Sequence, residues 1–268
     1  SLEGKFDSAL QKALDNFEHF NKREARMLKA EDPQDKELQE KLAIAHLNRA
    51  IKYSNDAISV YDESTIDGVN IFKRINSELE SFDSLPNLPN KDKLCDADPV
   101  LKVYVDGIHV YLAKCRKEKA YASYLAIRFM ISRVGLDHNR IVDNFNVLDM
   151  KMTVGDYSDS VRSDVEKTID DVGELNANFI TLIGRENEEI EACDKLLADP
   201  HLHEELKNDV KKYRRFYRFT ISGISLYAAT NVQRKIHLLI SLLMHDNSKQ
   251  QGHEDLKEWH ESIKSLMV

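Results

Sequence analysis

The feature that most constrains this sequence is how few residues it offers for turning the chain. Its 268 residues include 9 glycines and 5 prolines, together about 5% of the chain against a usual share of roughly 12%. Folds built from many short strands need turn residues every ~8–12 positions. The scarcity therefore excludes short-stranded all-β folds and Gly/Pro-rich low-complexity chains, and it predicts long helices.

The prolines indicate where those helices begin. Three of them follow an aspartate, at Asp32-Pro33, Asp98-Pro99 and Asp199-Pro200. Aspartate is a favoured N-cap, and proline suits the first helical turn because its missing N–H needs no partner there. The other two prolines lie in the segment 84–98, which we interpret as a linker.

Apolar residues recur at helical spacing between these marks. The stripes over 33–82 and 157–198 repeat close to a heptad, which is typical of coiled coils and makes both runs candidates for a dimer contact. Segment 99–134 is apolar on nearly all sides, which predicts a buried helix that ends at Gly135. Further glycines lie inside predicted helices, where we expect kinks or close approaches: Gly68, Gly107, Gly173, Gly184 and Gly223.

These patterns together predict an all-α fold. We expect a single elongated domain over 1–268, a bundle of long antiparallel amphipathic helices that is coiled-coil-like in part. Two sub-units, 1–83 and 99–268, would be joined by the linker 84–98.

Charge and cysteine usage restrict the function further. The net charge of −8 and pI near 5.7 argue against a surface that is basic overall and binds nucleic acid. The three cysteines have no metal-ligand spacing, and an odd count fits a reducing compartment better than a disulfide framework. With no signal-peptide pattern and no apolar run of ~18 residues, we expect a cytoplasmic protein.

One segment concentrates positive charge between aromatic residues. This basic cluster consists of Lys207, Lys211, Lys212, Arg214, Arg215 and Arg218, with Tyr213, Phe216, Tyr217 and Phe219 among them. A second basic group consists of Lys114, Arg116, Lys117 and Lys119. Such clusters attract phosphate-bearing partners, either anionic lipid or nucleic acid, and aromatics can stack on bases or anchor at a lipid interface. The alternative is a solvated helix face that pairs with acidic residues such as Glu186, Glu188 and Glu189.

Catalytic and metal-binding patterns are missing from the sequence. It contains no nucleophile elbow, no P-loop and no G-x-G-x-x-G. His201-Leu202-His203 lacks the i, i+4 spacing that puts two imidazoles on one helix face, and Asp106 with His109 is a single Asp-x-x-His pair. We therefore expect no enzymatic activity, no cofactor and no metal.

The end of the chain holds a short amphipathic stretch. Leu256, Trp259 and Ile263 lie on one face of a predicted helix. Such a helix docks on the body of the protein or binds a partner.

Long helices, missing catalytic motifs and a basic–aromatic cluster predict a non-enzymatic scaffold or protein–protein interaction module that forms a homodimer. A second interpretation is a curved helical dimer that binds membrane surfaces. Its general plan is similar to that of BAR-type domains in length, helix count and the position of basic groups. A third is a helical module that binds single-stranded nucleic acid, which the net charge disfavours.

Overall fold

The computed structural model describes residues 1–86, 93–248 and 254–267, and for residues 254–257 and 259 it describes the backbone only. Helices make up nearly all of this part of the chain, and it contains no strand. The all-α prediction is confirmed. The helices are α1 (Leu2–Lys29), α2 (Pro33–Val60), α3 (Val69–Asp83), α4 (Leu94–Ala97), α5 (Pro99–Thr153), α6 (Asp159–Ala198), α7 (Glu204–Ser248) and α8 (Glu254–Leu266).

Two of the Asp-Pro pairs start helices as the sequence predicts. Asp32 accepts a hydrogen bond from the backbone N–H of Gln34 at 3.1 Å, and Asp98 accepts one from Leu101 at 3.1 Å. Asp199 instead follows the end of α6 and accepts from His201 N–H at 2.9 Å. It therefore caps a turn, and α7 begins five residues later, at Glu204.

Two predicted helix boundaries are wrong. The helix predicted over 33–82 is interrupted after Val60 by a 3-10 turn at Glu63–Thr65, and α3 follows Gly68, whose φ is +85°. Conversely, α5 continues through Gly135 to Thr153. A glycine inside a helix costs only ~1 kcal/mol, and the buried Leu136, Ile141 and Leu148 beyond it compensate by packing in the core.

Contacts divide the described chain into two units, and α5, α6 and α7 each contribute to both. Unit 1 contains Ser1–Met130 and Asn187–Tyr217, and unit 2 contains Ile131–Glu186 and Arg218–Val268. This division differs from the expected sub-units 1–83 and 99–268, because it cuts through the long helices. Of the expected linker, residues 87–92 lie outside the described residues.

Unit 1 is built on an antiparallel hairpin of α1 and α2. Phe6 packs on Tyr61 with ring centroids 4.9 Å apart, and at the other end Arg23 donates to Gln39 at 3.2 Å. The core also takes in α3 and the first part of α5; its buried residues include Val69, Phe72, Val105, Leu112 and Cys115.

Unit 2 has a core of three helix segments. The ring of His138 on α5 lies 4.5 Å from that of Tyr227 on α7, and Asp149 bonds His237 further along, so these two helices run in the same direction. Asn176 of α6 donates to the carbonyl of Ala228, and Arg162 pairs with Asp246 near the other end; α6 therefore runs antiparallel to α7.

Alanine substitution should change the unfolding free energy in opposite directions at two glycines. Urea unfolding measures this free energy for both variants. Gly155 ends α5 with φ +87°, a conformation that costs a residue with a Cβ about 1 kcal/mol or more, so Gly155→Ala should lower the unfolding free energy. Gly173 lies inside α6 with open space around its would-be Cβ, and Gly173→Ala should raise the unfolding free energy by about 0.5–1 kcal/mol. A loss of stability in Gly173→Ala would contradict the helical backbone at this position.

Candidate functional site

Two of the four aromatic residues of the basic cluster are core residues. Tyr213 and Tyr217 are 4% and 0% exposed, and they pack on Tyr124 of α5 with ring centroids 4.6 and 6.4 Å apart. Burial raises the pKa of the Tyr213 phenol. These two rings hold α5 against α7 and are not accessible for stacking on a base.

The charged residues of the same cluster divide into two groups. Arg214 donates to Asp194 of α6 at 2.8 Å, and Lys207 lies 3.6 Å from Glu204. Lys211, Lys212 and Arg215 are exposed in unit 1. Arg218 is also exposed and is the first residue of α7 that belongs to unit 2.

The second basic group is mostly used within unit 1. Lys117 is 8% exposed; its ammonium lies 3.3 Å from Asp209 of α7 and 5.8 Å from the centroid of the Tyr121 ring. Arg116 donates to Glu63 at 2.5 Å, which lowers the pKa of that carboxyl. Lys114 is exposed and Lys119 half-buried. The expected pairing of cations with acids is therefore present, although the acids differ from those that the sequence suggested.

A groove of about 630 Å³ lies beside these residues in unit 1. Arg116, Lys119 and Lys195 contribute positive charge to its wall, and four carboxylates offset them: Asp62, Glu63, Glu189 and Asp199. Because the two signs nearly balance and Arg116 is already paired, the groove has no marked preference for an anion.

The structure brings His201 close to Asp106 and His109, the Asp-x-x-His pair. His109 stacks on His201 with centroids 4.5 Å apart, and His201 lies 3.6 Å from Asp106 and 3.4 Å from Asp199. Burial, together with the neighbouring His201, lowers the pKa of His109. His203 is exposed beyond this group. In the part of the chain that the structure describes, no group of three or more His, Cys, Asp or Glu side chains is arranged to hold a metal ion.

Glu186 is buried, although the sequence suggested an exposed partner for the basic cluster. It continues the α6 stripe of Val172, Leu175, Phe179 and Leu182 at spacings of three and four, and it is 0% exposed. One carboxyl oxygen accepts from the Thr220 hydroxyl, whereas Oε1 has no hydrogen-bond partner among the described residues. Burial raises its pKa to about 7.

An exposed apolar surface lies on α7 in unit 2. We define the α7 outer face as Leu226, Ala229, Val232, Ile236, Leu239 and Leu243, all exposed. The five large side chains retain between 40% and 63% of their exposure. Ile224, Asn231 and Leu238 are buried on the opposite side of the helix. The outer face is therefore an apolar stripe directed away from the core of its own unit.

Charged groups are sparse along this stripe. No charged residue occurs between Phe219 and Gln233, in a chain that is 31% charged. Arg234 and Lys235 project from the sides of the helix, since at ~100° per residue neither falls in line with the stripe. Phe219, 79% exposed, extends the apolar surface toward the start of unit 2.

The segments predicted to form a dimer contact are used within the chain. In α2 the residues Ala43, Leu47, Ala50 and Ala57 are buried, and in unit 2 the α6 stripe is buried as well. The uncharged run over 219–233 was the signal that could have identified the α7 outer face.

Helix α8 lies beside this face. Its Lys264 and Met267 line a shallow pocket of about 400 Å³ with Gln233, His237 and Phe145. Ile263 is half-buried, whereas the side chains of Leu256 and Trp259 lie outside the described residues. The helix predicted from these three residues is thus present, packed along one flank of α7.

Comparison with known proteins gives no relative. The chain matches no protein-family model, no curated protein and no solved structure. A functional proposal therefore rests on the physical features described above. No helix in the described part of the chain has both the length and the apolar character needed to cross a membrane.

Proposed function

We propose that this protein is a non-enzymatic helical scaffold that self-associates through the α7 outer face. The observation that supports the proposal is an exposed, uncharged apolar stripe at near-heptad spacing on a helix of 45 residues. In water such a stripe gains free energy when a matching surface covers it.

The size of the stripe agrees with a second copy as the occupant. Taking roughly 200 Å² for a large side chain in full exposure, the exposed fractions of the outer face and Phe219 correspond to about 600 Å² of apolar surface per copy. Two copies together would bury about 1,200 Å², the lower end of the range of specific interfaces. Because the same stripe is present on both copies, a two-fold axis would satisfy both at once.

Sedimentation equilibrium of the full chain over micromolar concentrations tests self-association. The expected result is a mass that rises with concentration to twice the chain mass of 30.9 kDa. A mass that stays at that of a single chain up to ~100 µM would mean a free energy of dimerisation weaker than about −5 kcal/mol. That result would end the proposal.

A second candidate, binding to an anionic membrane surface, is favoured by the exposed Lys211, Lys212 and Arg215. Each cation near such a surface contributes about 1 kcal/mol. Reversing all three to glutamate should therefore weaken co-sedimentation with phosphatidylserine vesicles more than 100-fold. Lys36, Lys41 and Arg49, exposed on α2, provide a control with the same change in net charge. Equal loss in both variants, or no vesicle binding by the native chain, would count against this candidate.

Binding to single-stranded nucleic acid has less support. The stacking surface that the interpretation requires would come from the aromatic residues of the basic cluster. Tyr213 and Tyr217, two of those residues, are 4% and 0% exposed.

A further inference from the structure

We propose that two copies pair their α7 outer faces antiparallel, about a two-fold axis between Val232 and Gln233. This inference rests on the proposed self-association and concerns how the same surface is used.

The argument starts from a gradient of side-chain size along the face. On the N-terminal side, Leu226 is the one large exposed residue in line with the stripe beyond Phe219, and the others there are small: Ser222, Ser225 and Ala229. On the C-terminal side they are large: Ile236, Leu239 and Leu243. The face therefore has one half with room to receive side chains and one half that supplies them.

A parallel pair in register would leave the small side chains of one copy without large partners on the other. Each residue would lie opposite its own copy, so Ser222 would face Ser222 and Ala229 would face Ala229. Gaps would remain in those layers while bulky residues met at the other end. Unfilled space in a packed contact forfeits packing energy, so this arrangement is less stable where the small residues meet.

An antiparallel pair about the proposed axis matches a small residue with a large one in two layers and pairs two leucines in the layer between them. Ser222 lies level with Leu243 of the second copy, and Ala229 with Ile236. Leu226 meets Leu239 between them. Since one axis position satisfies all three layers, the register follows from the sequence of the face and needs no adjustment.

Gln233 supports the same register. It is exposed, it is the polar residue in line with the stripe between Leu226 and Leu243, and it lies next to the axis. At that position the side-chain amide of Gln233 can form a hydrogen bond with Gln233 of the second copy. The apolar layers on both sides then exclude water. A single polar residue in an apolar helix contact is a known way of specifying register.

Disulfide cross-linking of cysteine variants tests orientation. In a Cys95→Ser background, Ser222→Cys and Leu243→Cys are prepared separately, mixed to exchange subunits and oxidised; the remaining Cys115 and Cys193 are buried. A disulfide needs Cα atoms within about 7 Å. In the antiparallel pair the two 222 positions lie about 31 Å apart, so neither variant cross-links alone, whereas the mixture does.

Each outcome of the cross-linking either supports the antiparallel pairing or overturns it. Cross-linking in the mixture alone supports the proposal. Cross-linking of Ser222→Cys alone shows a parallel pair and overturns it, as does a dimeric mass without any cross-link. A chain that is monomeric at every concentration ends the proposed function instead. Where Leu243→Cys weakens the dimer, the pair Ser225→Cys and Ile240→Cys tests the same register, and Ile180→Cys, exposed on α6, controls for random collision.

Discussion

Aspartate in place of both Leu226 and Ile236 is expected to abolish the proposed dimer and leave a folded monomer. Both side chains are substantially exposed within one copy, at 63% and 40%, so the change removes little packing from the core. In the dimer each change occurs twice, and covering a half-exposed leucine or isoleucine is worth about 1 kcal/mol. The dissociation constant should rise at least 100-fold, more if the carboxylates remain charged in the contact.

Sedimentation equilibrium gives the mass of this double variant, and circular dichroism reports its helix content. The matched control is Val147→Asp with Ile180→Asp, since both residues are exposed, at 52% and 70%, and lie in unit 2 away from α7. We expect the control to have the same dissociation constant as the native chain. Equal weakening in both double variants would mean that the α7 outer face is not the contact.

Glu186→Gln is expected to stabilise the protein by about 3 kcal/mol at pH 8, an unusually large gain for one substitution. The folded pKa is about 7 against an ordinary value of 4.5, and each unit corresponds to about 1.4 kcal/mol. Because the folded pKa is raised, the stability that the protonated carboxyl contributes is complete below pH 4.5. It is lost as the pH rises through about 7. Glutamine stays neutral and can keep the bond to Thr220.

Urea unfolding of both proteins between pH 5 and pH 8 measures this difference. The advantage of the variant should be small at pH 5 and grow toward pH 8. Titration of the histidines is common to both proteins and cancels in the comparison. Glu188→Gln, a change of the same chemistry at an exposed neighbour, should have little effect. A Glu186→Gln advantage that does not vary with pH would show that burial does not hold the carboxyl neutral.

Local chemistry predicted most of the helical architecture. Pro33 and Pro99 begin α2 and α5, since a capping aspartate before a proline acts within one helical turn. The chain breaks between α5 and α6 at Gly155, a residue with φ +87°. Gly135 misled the prediction because a helix glycine costs little, and packing beyond it decides whether the helix continues.

The surroundings of the candidate site residues were harder to predict from the sequence. The basic cluster could be identified, but its charge balance could not: Asp209, which lies inside it, pairs with Lys117 of the second basic group, far away in sequence. Tyr213 of the cluster is buried against Tyr124. Glu186 was placed with its acidic neighbours because its charge suggested solvent. Its position in the α6 stripe, three and four residues from apolar neighbours, was the better indication of burial.

The sequence by itself determined that this chain is helical, where several of its helices start, and which faces are apolar. Those properties depend on residues within a few turns of one another. Only the tertiary structure decided which apolar faces are used inside the chain, because burial depends on what another helix brings into contact. The stripes of α2 and α6 are covered by neighbouring helices. That of α7 between Leu226 and Leu243 is exposed in unit 2, and for this reason it carries the proposed function.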